Sequence, residues 1–222
     1  MNQSDAVGQI KKTGIVPIIR TADTETAVRG VEAVYEGGLR CAEITMTVDG
    51  ALRALEEVAK RFGNKILLGA GTVLDPETAR ICILSGAEFL VTPSLNVRTI
   101  ELAHRYSKAI FPGALTPTEI LTAWEAGADG IKVFPCSAMG GAKYIRALRG
   151  PFPQIEYVPT GGVNLETIGE FLSAGCCAVG VGGELVDTKS IAAGNYDLIT
   201  ERARQFLSKA EEALSSSARE SR

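Results

Sequence analysis

The sequence predicts an α/β fold in which eight parallel strands alternate with helices and close into one (β/α)8 barrel. Eight short runs rich in Val, Ile and Leu recur along the chain, and segments with helical spacing separate them. Strand and helix alternate at intervals of roughly 20–25 residues, which is typical of βαβ units and a parallel sheet. Because barrels of about 200–250 residues commonly form a single domain, we expect one domain over residues 1–222.

The predicted strands are apolar enough to be covered on both faces, as in a parallel sheet between helices. They are IVPIIR (15–20), CAEITMT (41–47), ILLGAG (66–71), EFLVTP (88–93), AIFPG (109–113), DGIKVFP (129–135), EYVPTGG (156–162) and CAVGVGG (177–183). Several helices end in a glycine suited to the left-handed position after a helix, namely Gly38, Gly86, Gly127 and Gly175. Eight units in this length fit a closed TIM barrel better than the open, doubly wound sheet that the same order allows.

Both ends of the chain are predicted to lie outside the barrel strands. Residues 2–12 have the composition of an extra N-terminal helix, and NYDLITERARQFLSKAEEAL (195–214) has the pattern of an amphipathic C-terminal helix. The segment SSSARESR (215–222) is predicted to be a frayed tail. No linker divides the chain, so we expect no second domain.

Composition excludes several classes of function. The net charge of −3 gives no basic field for nucleic acid or a membrane surface. Five scattered cysteines, without a C-x-x-C pair and with a single histidine, predict neither a zinc site nor a disulfide framework. No signal-peptide pattern and no apolar run of membrane-spanning length occur. We therefore expect a soluble cytoplasmic protein with reduced thiols and no metal.

Lys132 stands inside the apolar stretch IKVF. Successive side chains of a barrel strand point alternately to the interior and to the helix layer. With Ile131 and Val133 facing the helices, Lys132 faces the barrel axis, and the same alternation turns Glu43 inward. Arg20 ends the first strand, near the mouth where barrel active sites are built. We therefore expect a lysine, a carboxylate and a guanidinium to share one cavity.

Two interpretations of Lys132 fit this pattern. Lys132 and Glu43 could form an internal ion pair, although buried pairs are poor stabilisers compared with apolar residues of similar volume. Alternatively, Lys132 is a nucleophile, since a partly desolvated amine in cationic surroundings loses its proton readily and condenses with a carbonyl to a Schiff base. The protonated imine then accepts electrons from a neighbouring C–C bond while Glu43 moves protons. Such chemistry requires neither a metal nor another cofactor.

The other predicted strand ends provide a binding surface of small residues and hydroxyls. They are GAGTV (69–73), VTPSLN (91–96), FPGALTPTE (111–119) and VPTGGV (158–163). Two glycine pairs, Gly161–Gly162 and Gly182–Gly183, end the seventh and eighth predicted strands. Exposed backbone N–H groups there can bind a phosphate, at the position where barrels of this fold usually bind one.

Motifs along almost the full chain resemble the 2-keto-3-deoxy-6-phosphogluconate (KDPG) and 4-hydroxy-2-oxoglutarate (KHG) aldolases. They are VPIIR, EGGLRCAEITMT, LGAGTVLD, GAEFLVTPSLN, FPGALTPTE, IKVFP, GPFPQIEYVPTGGVN and AAGNYDLITERA. The resemblance implies a homotrimeric class I aldolase that splits a small-molecule 2-keto acid. The implied products are pyruvate with glyceraldehyde 3-phosphate from KDPG, or pyruvate with glyoxylate from KHG.

The resemblance also implies roles for individual residues. Lys132 would form the Schiff base, and Glu43 would be the general acid/base. The resemblance further implies Arg20, Thr72 and Pro93 at the pyruvate end and Thr160, Gly161 and Gly162 on the phosphate side. Phe134 is a further predicted substrate contact, and Gly182 and Gly183 of the second glycine pair are further predicted phosphate contacts.

One departure from the family concerns the eighth predicted strand. Many members with a phosphorylated substrate have a serine where this chain has Gly183, followed by Glu184. A phosphate loses a hydroxyl donor there, and an inward Glu184 would repel it, although the Gly183 N–H remains. The departure predicts a smaller preference for the phosphorylated substrate, accompanied by activity on KHG.

Two other functions fit parts of the pattern. A phosphate-binding barrel enzyme of another reaction type, such as a synthase or an isomerase, has no need of an inward lysine. A non-catalytic trimeric barrel serving as a binding or assembly module would be expected to lack Lys132 or Glu43, and both residues are present.

Overall fold

The computed structural model describes residues 3–220, in which strands and helices alternate along the chain. The helices are α1 (Gln3–Thr13), α2 (Thr24–Glu36), α3 (Ala51–Phe62), α4 (Pro76–Leu84), α5 (Val97–Arg105), α6 (Pro117–Glu125), α7 (Ala142–Arg149), α8 (Ile168–Ser173), α9 (Thr188–Ala192) and α10 (Tyr196–Glu220). The strands are β1 (Ile15–Ile19), β2 (Cys41–Thr45), β3 (Leu67–Gly71), β4 (Phe89–Val91), β5 (Ala109–Phe111), β6 (Gly113–Ala114), β7 (Ile131–Val133), β8 (Tyr157–Pro159) and β9 (Val179–Val181). Every predicted strand is present, the fifth as two pieces.

The strands of residues 3–220 pair in parallel and form two sheets. The larger sheet has six strands in the order β5-β4-β3-β2-β1-β9, and the smaller has three in the order β6-β7-β8. The architecture is therefore an α/β fold with a curled parallel sheet of six strands, a smaller sheet and surrounding helices. One further parallel bridge pairs Thr160, just after β8, with Gly180 of β9.

The fifth predicted strand is interrupted at Pro112. The piece before it, β5, pairs with β4, and the piece after it, β6, pairs with β7. Proline has no backbone N–H and cannot donate to a neighbouring strand. Its carbonyl still accepts a hydrogen bond from the Lys132 N–H at 2.9 Å. The chain therefore passes from the larger sheet to the smaller sheet at Pro112.

Apolar side chains form two clusters, one on each side of the strands. The outer cluster joins strands to helices and includes Ile44, Ile131 and Val133. The inner cluster is smaller, and it combines inward side chains of the strands with Ala6 and Ile10 of α1. The predicted N-terminal helix is thus confirmed, and it covers the inner cluster. Burial of a side chain such as Ile10 contributes about 1.5–3 kcal/mol, which anchors the helix there.

The C-terminal helix α10 packs on α2 and α8. A hydrogen bond from Thr200 Oγ1 to the Ala33 carbonyl, 3.0 Å long, fixes its contact with α2. The helix continues through Glu220, so the tail predicted from residue 215 is helical up to that point, and residues 221–222 lie outside the described part. Neither this helix nor another within residues 3–220 is long and apolar enough to cross a membrane.

Candidate active site

Lys132 lies at the centre of β7 with its side chain turned away from the helices. Its neighbours Ile131 and Val133 pack in the outer cluster, as the alternation predicts. Only 4% of Lys132 is exposed. Its Nζ lies 5.3 Å from the centre of the Phe134 ring, within the range of a cation–π contact. The lysine is therefore buried against an aromatic face.

Glu43 lies on β2 and is 1% exposed. In the larger sheet it is in register with Ile18 of β1 and Gly69 of β3. The carboxylate extends over Gly71 of β3, and a Cβ at position 71 would overlap its Oε1. A glycine on the adjacent strand thus provides the space that a buried glutamate side chain requires.

A small internal cavity of ≈ 10 Å³ has both Lys132 and Glu43 in its wall. This volume is about that of one water molecule. The other lining residues are Val16, Phe89, Val91, Phe111, Val158, Thr160 and Gly180. Lys132 and Glu43 are therefore brought together as predicted, in mostly apolar surroundings. Arg20 was predicted to share their cavity but does not line it.

The carboxylate of Glu43 has an unpartnered oxygen. Its Oε1 is buried and makes no hydrogen bond within the described residues. This atom therefore does not take part in a hydrogen-bonded ion pair of the kind that a purely structural role for Lys132 and Glu43 requires. Burial raises the pKa of Glu43, while the positive charges of Lys132 and Arg20 act in the opposite direction. A raised pKa suits a group that must both donate and accept protons.

A larger cavity of ≈ 210 Å³ opens beside the internal one, and Thr160 and Gly180 line both. Seven of the predicted site residues line it: Arg20, Phe134, Thr160, Gly161, Gly162, Gly182 and Gly183. The sequence did not single out Ile18, Val163 or Gly180 as site residues, although Val163 ends the segment 158–163 assigned to the binding surface. Alternation along β1 places Ile18 on the same face as Val16, which lines the internal cavity, and could have identified it. Glu184, considered only as a possible source of repulsion, also lines this cavity.

Thr72 and Pro93 follow β3 and β4 and line neither cavity. Both are half-buried. Thr72 has a φ of +56°, in the left-handed region that β-branched residues rarely adopt. Such strain often accompanies a functional position. The structure therefore leaves the predicted role of these two residues as a prediction.

The two glycine pairs differ in conformation. Gly161 and Gly162 have φ values of +92° and +78°, so the turn after β8 itself requires glycine. Gly182 and Gly183 have no such φ, and a Cβ at either position would meet no atom within 4 Å. The first pair has a structural reason to be glycine, whereas the second leaves open space at the cavity.

Near the start of each helix that follows these turns, one backbone N–H is bonded to a side chain. The Asn164 side chain accepts from the Thr167 N–H at 2.9 Å, before α8. The Asp187 side chain accepts from the Ser190 N–H at 2.8 Å, in the first turn of α9. In contrast, the N–H groups of Gly162 and Gly183 donate no hydrogen bond within residues 3–220, whereas Gly161 follows the bridge between Thr160 and Gly180. Donors at this end of the site are therefore supplied by the glycine turns.

The described residues contain no group of three or more His, Cys, Asp or Glu side chains placed to hold a metal ion. The chemically competent groups are instead a buried amine, a buried carboxylate with a raised pKa, and a guanidinium at the mouth. An amine in such a setting reacts with carbonyl carbons. The fold and the site together are those expected of an α/β enzyme that acts on carbonyl compounds through a buried lysine.

Comparison with known proteins makes this assignment more specific. The family model described as KDPG and KHG aldolase matches residues 7–202. The KHG/KDPG aldolase of Escherichia coli strain K12 is 33% identical over 205 residues, 92% of this chain and 96% of that protein. The KDPG aldolase of Legionella pneumophila, solved with pyruvate captured at low pH as a covalent carbinolamine, is 29% identical with a TM-score of 0.84, over 90% of this chain and 96% of that one.

A designed cube-shaped protein cage, made by fusing symmetric oligomeric domains, is also similar. It is 31% identical with a TM-score of 0.86, over 95% of this chain and 76% of that one. The extent of the family match and the identity of these relatives lead to one conclusion. The chain belongs to the KDPG and KHG aldolase family.

Proposed function

We propose that this chain is a class I aldolase that splits a 2-keto-3-deoxy acid into pyruvate and an aldehyde through a Schiff base on Lys132. The substrates to assay first are KDPG, which would give glyceraldehyde 3-phosphate, and KHG, which would give glyoxylate. The observation that carries the proposal is the shared cavity of Lys132 and Glu43, in which Glu43 Oε1 has no hydrogen-bond partner among the described residues.

The proposed cleavage begins when Lys132 Nζ attacks the C2 carbonyl carbon. The resulting carbinolamine loses water to give a protonated imine, with Glu43 supplying the proton to the leaving hydroxyl. Glu43, now a carboxylate, removes the proton of the C4 hydroxyl, the C3–C4 bond breaks, and its electron pair moves into the imine to give an enamine. The aldehyde departs with C4 as its carbonyl carbon.

The second half of the cycle releases pyruvate. Glu43 returns its proton to C3 of the enamine, and water then adds to the imine carbon and displaces Lys132. Glu43 therefore alternates between acid and base, and burial supports this role because it raises the pKa of the carboxyl group. The protons and the electron pair balance without a co-reactant.

The remaining residues are proposed to hold the substrate. Arg20 suits the C1 carboxylate, because a guanidinium binds a carboxylate through two parallel hydrogen bonds. The left-handed conformation of Thr72 supports a position at the pyruvate end, with Pro93 beside it. The far end of the substrate would meet Phe134, Thr160 and the two glycine pairs, which all line the larger cavity.

We also propose that the two sheets form one closed TIM barrel of eight strands within a single domain. Two observations support closure. The strands β5 and β6 are separated by Pro112 alone and join one edge of the larger sheet to the smaller sheet. The bridge between Thr160 and Gly180 joins the opposite edges. Counting β5 and β6 as one strand gives the predicted eight.

A homotrimer is proposed as the assembly, and an apolar surface on α4 supports association. Ile81 and Leu84 lie three residues apart on the exposed face of α4, and Leu74 precedes the helix; they are 43%, 63% and 58% exposed. Oligomers with such faces are usually symmetric. Sedimentation equilibrium of the native chain and of Leu84→Glu would test the proposed trimer. We expect the mass of three chains for the native protein.

The cytoplasmic location stays a prediction.

A steady-state assay tests the proposed reaction. Pyruvate release from KDPG and from KHG should be measured for the native chain, Lys132→Met and Lys143→Met, the last changing an exposed lysine on α7. We expect release by the native chain and by Lys143→Met, and loss of release in Lys132→Met. Normal release by Lys132→Met would overturn the proposal.

A further inference from the structure

We propose that Glu184 sets the specificity at the far end of the site, and that this end takes a chain of neutral hydroxyl groups rather than a phosphate. The inference rests on the proposed function, because it names the substrate class of the same site. It concerns the larger cavity, where Glu184 is exposed and forms part of the wall.

The wall of this cavity carries one positive and one negative side chain. Among its lining residues Arg20 is the cation and Glu184 is the anion. Arg20 follows β1 and is assigned to the substrate carboxylate, so the charge left facing the rest of the substrate is negative. A phosphate monoester carries a charge of about −1.5 to −2 at pH 7. It would be placed beside a carboxylate, with the lining cation Arg20 already engaged by the carboxylate of the substrate.

The hydrogen-bonding groups at this end also suit a hydroxyl. Within the described residues the N–H groups of Gly162 and Gly183 are free donors, whereas the Glu184 carboxylate is an acceptor. A hydroxyl can accept from an amide and donate to a carboxylate at the same time. A phosphate dianion only accepts, and so it can satisfy the glycine amides but not Glu184.

Residues of α8 and α9 are not among those that line the larger cavity. Asn164 accepts from the Thr167 N–H before α8, and Asp187 accepts from the Ser190 N–H in α9. Asp187 brings a further carboxylate to the segment after β9, although it is paired with Arg202 of α10. The glycine amides suit a phosphate or a hydroxyl, so the feature that favours a polyhydroxy chain over a dianion is the negative charge of Glu184.

The test compares two substrates that differ at one end. The substrate 2-keto-3-deoxygluconate ends in a hydroxyl, and its 6-phosphate ends in a dianion, so their kcat/KM values for pyruvate release isolate the effect of the far end. The variants are Glu184→Gln and, as a matched control, Glu166→Gln, which removes an exposed carboxylate outside the lining of both cavities.

We expect the native chain to favour the neutral substrate. Glu184→Gln should shift the ratio of kcat/KM values toward the 6-phosphate by about tenfold, mainly through KM, the scale of one interaction between partly exposed charges. Added salt should reduce the discrimination of the native chain, because exposed charges are screened. Glu166→Gln should leave the ratio unchanged.

Two outcomes would overturn the inference alone: a native chain that prefers the 6-phosphate, or a ratio that Glu184→Gln does not change. Release of pyruvate from neither compound, with no release from KHG, would overturn the proposed aldolase function itself. The two failures are therefore distinguishable.

Discussion

The carboxylate of Glu43 on β2 occupies the space where a side chain of Gly71 on β3 would begin. The strands are adjacent and parallel, with Thr45 in register with Gly71, so Glu43 precedes that pair by two residues on the same face. Gly71 does not have a positive φ, and its backbone would accept alanine. Glycine is therefore needed at this position because the Glu43 side chain occupies the adjacent space, and not because the backbone conformation excludes other residues.

The first prediction follows from this contact. Gly71→Ala should displace the Glu43 carboxylate and lower kcat by about 10²-fold, since small misplacements of catalytic groups have effects of that size. The same overlap should lower the melting temperature of Gly71→Ala. Adding Glu43→Asp to this variant should restore part of that loss, because the shorter side chain relieves the overlap. Gly169→Ala on α8 is the control, since a Cβ there meets no atom within 4 Å. A Gly71→Ala variant with normal kcat would show that the contact does not position Glu43.

The second prediction concerns the protonation of Glu43. Burial raises its pKa above the ordinary value of 4.5, so the folded chain holds this proton more tightly than the unfolded chain does. The free energy of unfolding is therefore reduced as pH rises above about 4.5, and the reduction is absent at lower pH. Glu43→Gln should have a higher melting temperature than the native chain at pH 8, with a difference that vanishes near pH 4.

The same variant should be a poor enzyme, because an amide does not accept the proton of the C4 hydroxyl. We expect turnover to fall by about 10²–10⁴-fold, the usual contribution of a positioned acid or base. The melting temperature of Glu43→Gln should be compared with that of the native chain at both pH values. A difference that falls between pH 4 and pH 8, to the disadvantage of the variant, would contradict the raised pKa of Glu43. Near-full turnover would make the carboxylate structural.

The third prediction concerns Arg20. Arg20→Lys keeps the positive charge but cannot reproduce two parallel hydrogen bonds to a carboxylate. Loss of one hydrogen bond to a charged group should lower kcat/KM by about tenfold or more. Steady-state kinetics should show the change mainly in KM, whereas Arg98→Lys, an exposed position on α5, should have no effect. Equal kcat/KM in Arg20→Lys would remove Arg20 from the site.

The fourth prediction concerns the open space at Gly183. Gly183 has no positive φ, and a Cβ at this position would meet no atom within 4 Å, so a serine fits without a change of backbone. Gly183→Ser adds a hydroxyl donor and should raise kcat/KM on the 6-phosphate by about tenfold, the effect of a hydrogen bond to a charged group. The unphosphorylated acid should change little. A stable Gly183→Ser variant with unchanged kinetics on both substrates would place residue 183 away from the phosphate end.

Much of the fold could be predicted from local pattern alone. The apolar strands, the inward direction of Lys132 and Glu43, and the glycines after helices are consequences of short-range stereochemistry. Gly38, Gly86, Gly127 and Gly175 all have the expected positive φ, between +87° and +107°. Alternation along each strand was also enough to predict that Lys132 and Glu43 face one cavity, because each strand has only two faces.

Other features depend on contacts between segments that are distant in sequence. The space that Gly71 provides for the Glu43 carboxylate depends on the register of β2 and β3. The sequence of one strand alone does not specify that register. The difference between the two glycine pairs depends on backbone angles, since the letters GG are the same in both. The division of the fifth strand at Pro112 and the extension of α10 to Glu220 likewise depend on which neighbours the chain meets.

The fifth prediction tests the central claim, the nucleophilic role of Lys132. The native chain should be incubated with pyruvate and sodium borohydride, digested, and examined by mass spectrometry, alongside Lys132→Ala and the exposed-lysine control Lys143→Ala. We expect one pyruvate-derived mass increment on the peptide that contains Lys132, with loss of turnover, and the same increment in Lys143→Ala. An increment on another lysine, or no increment in a chain that still releases pyruvate from a 2-keto acid, would contradict the Schiff-base mechanism.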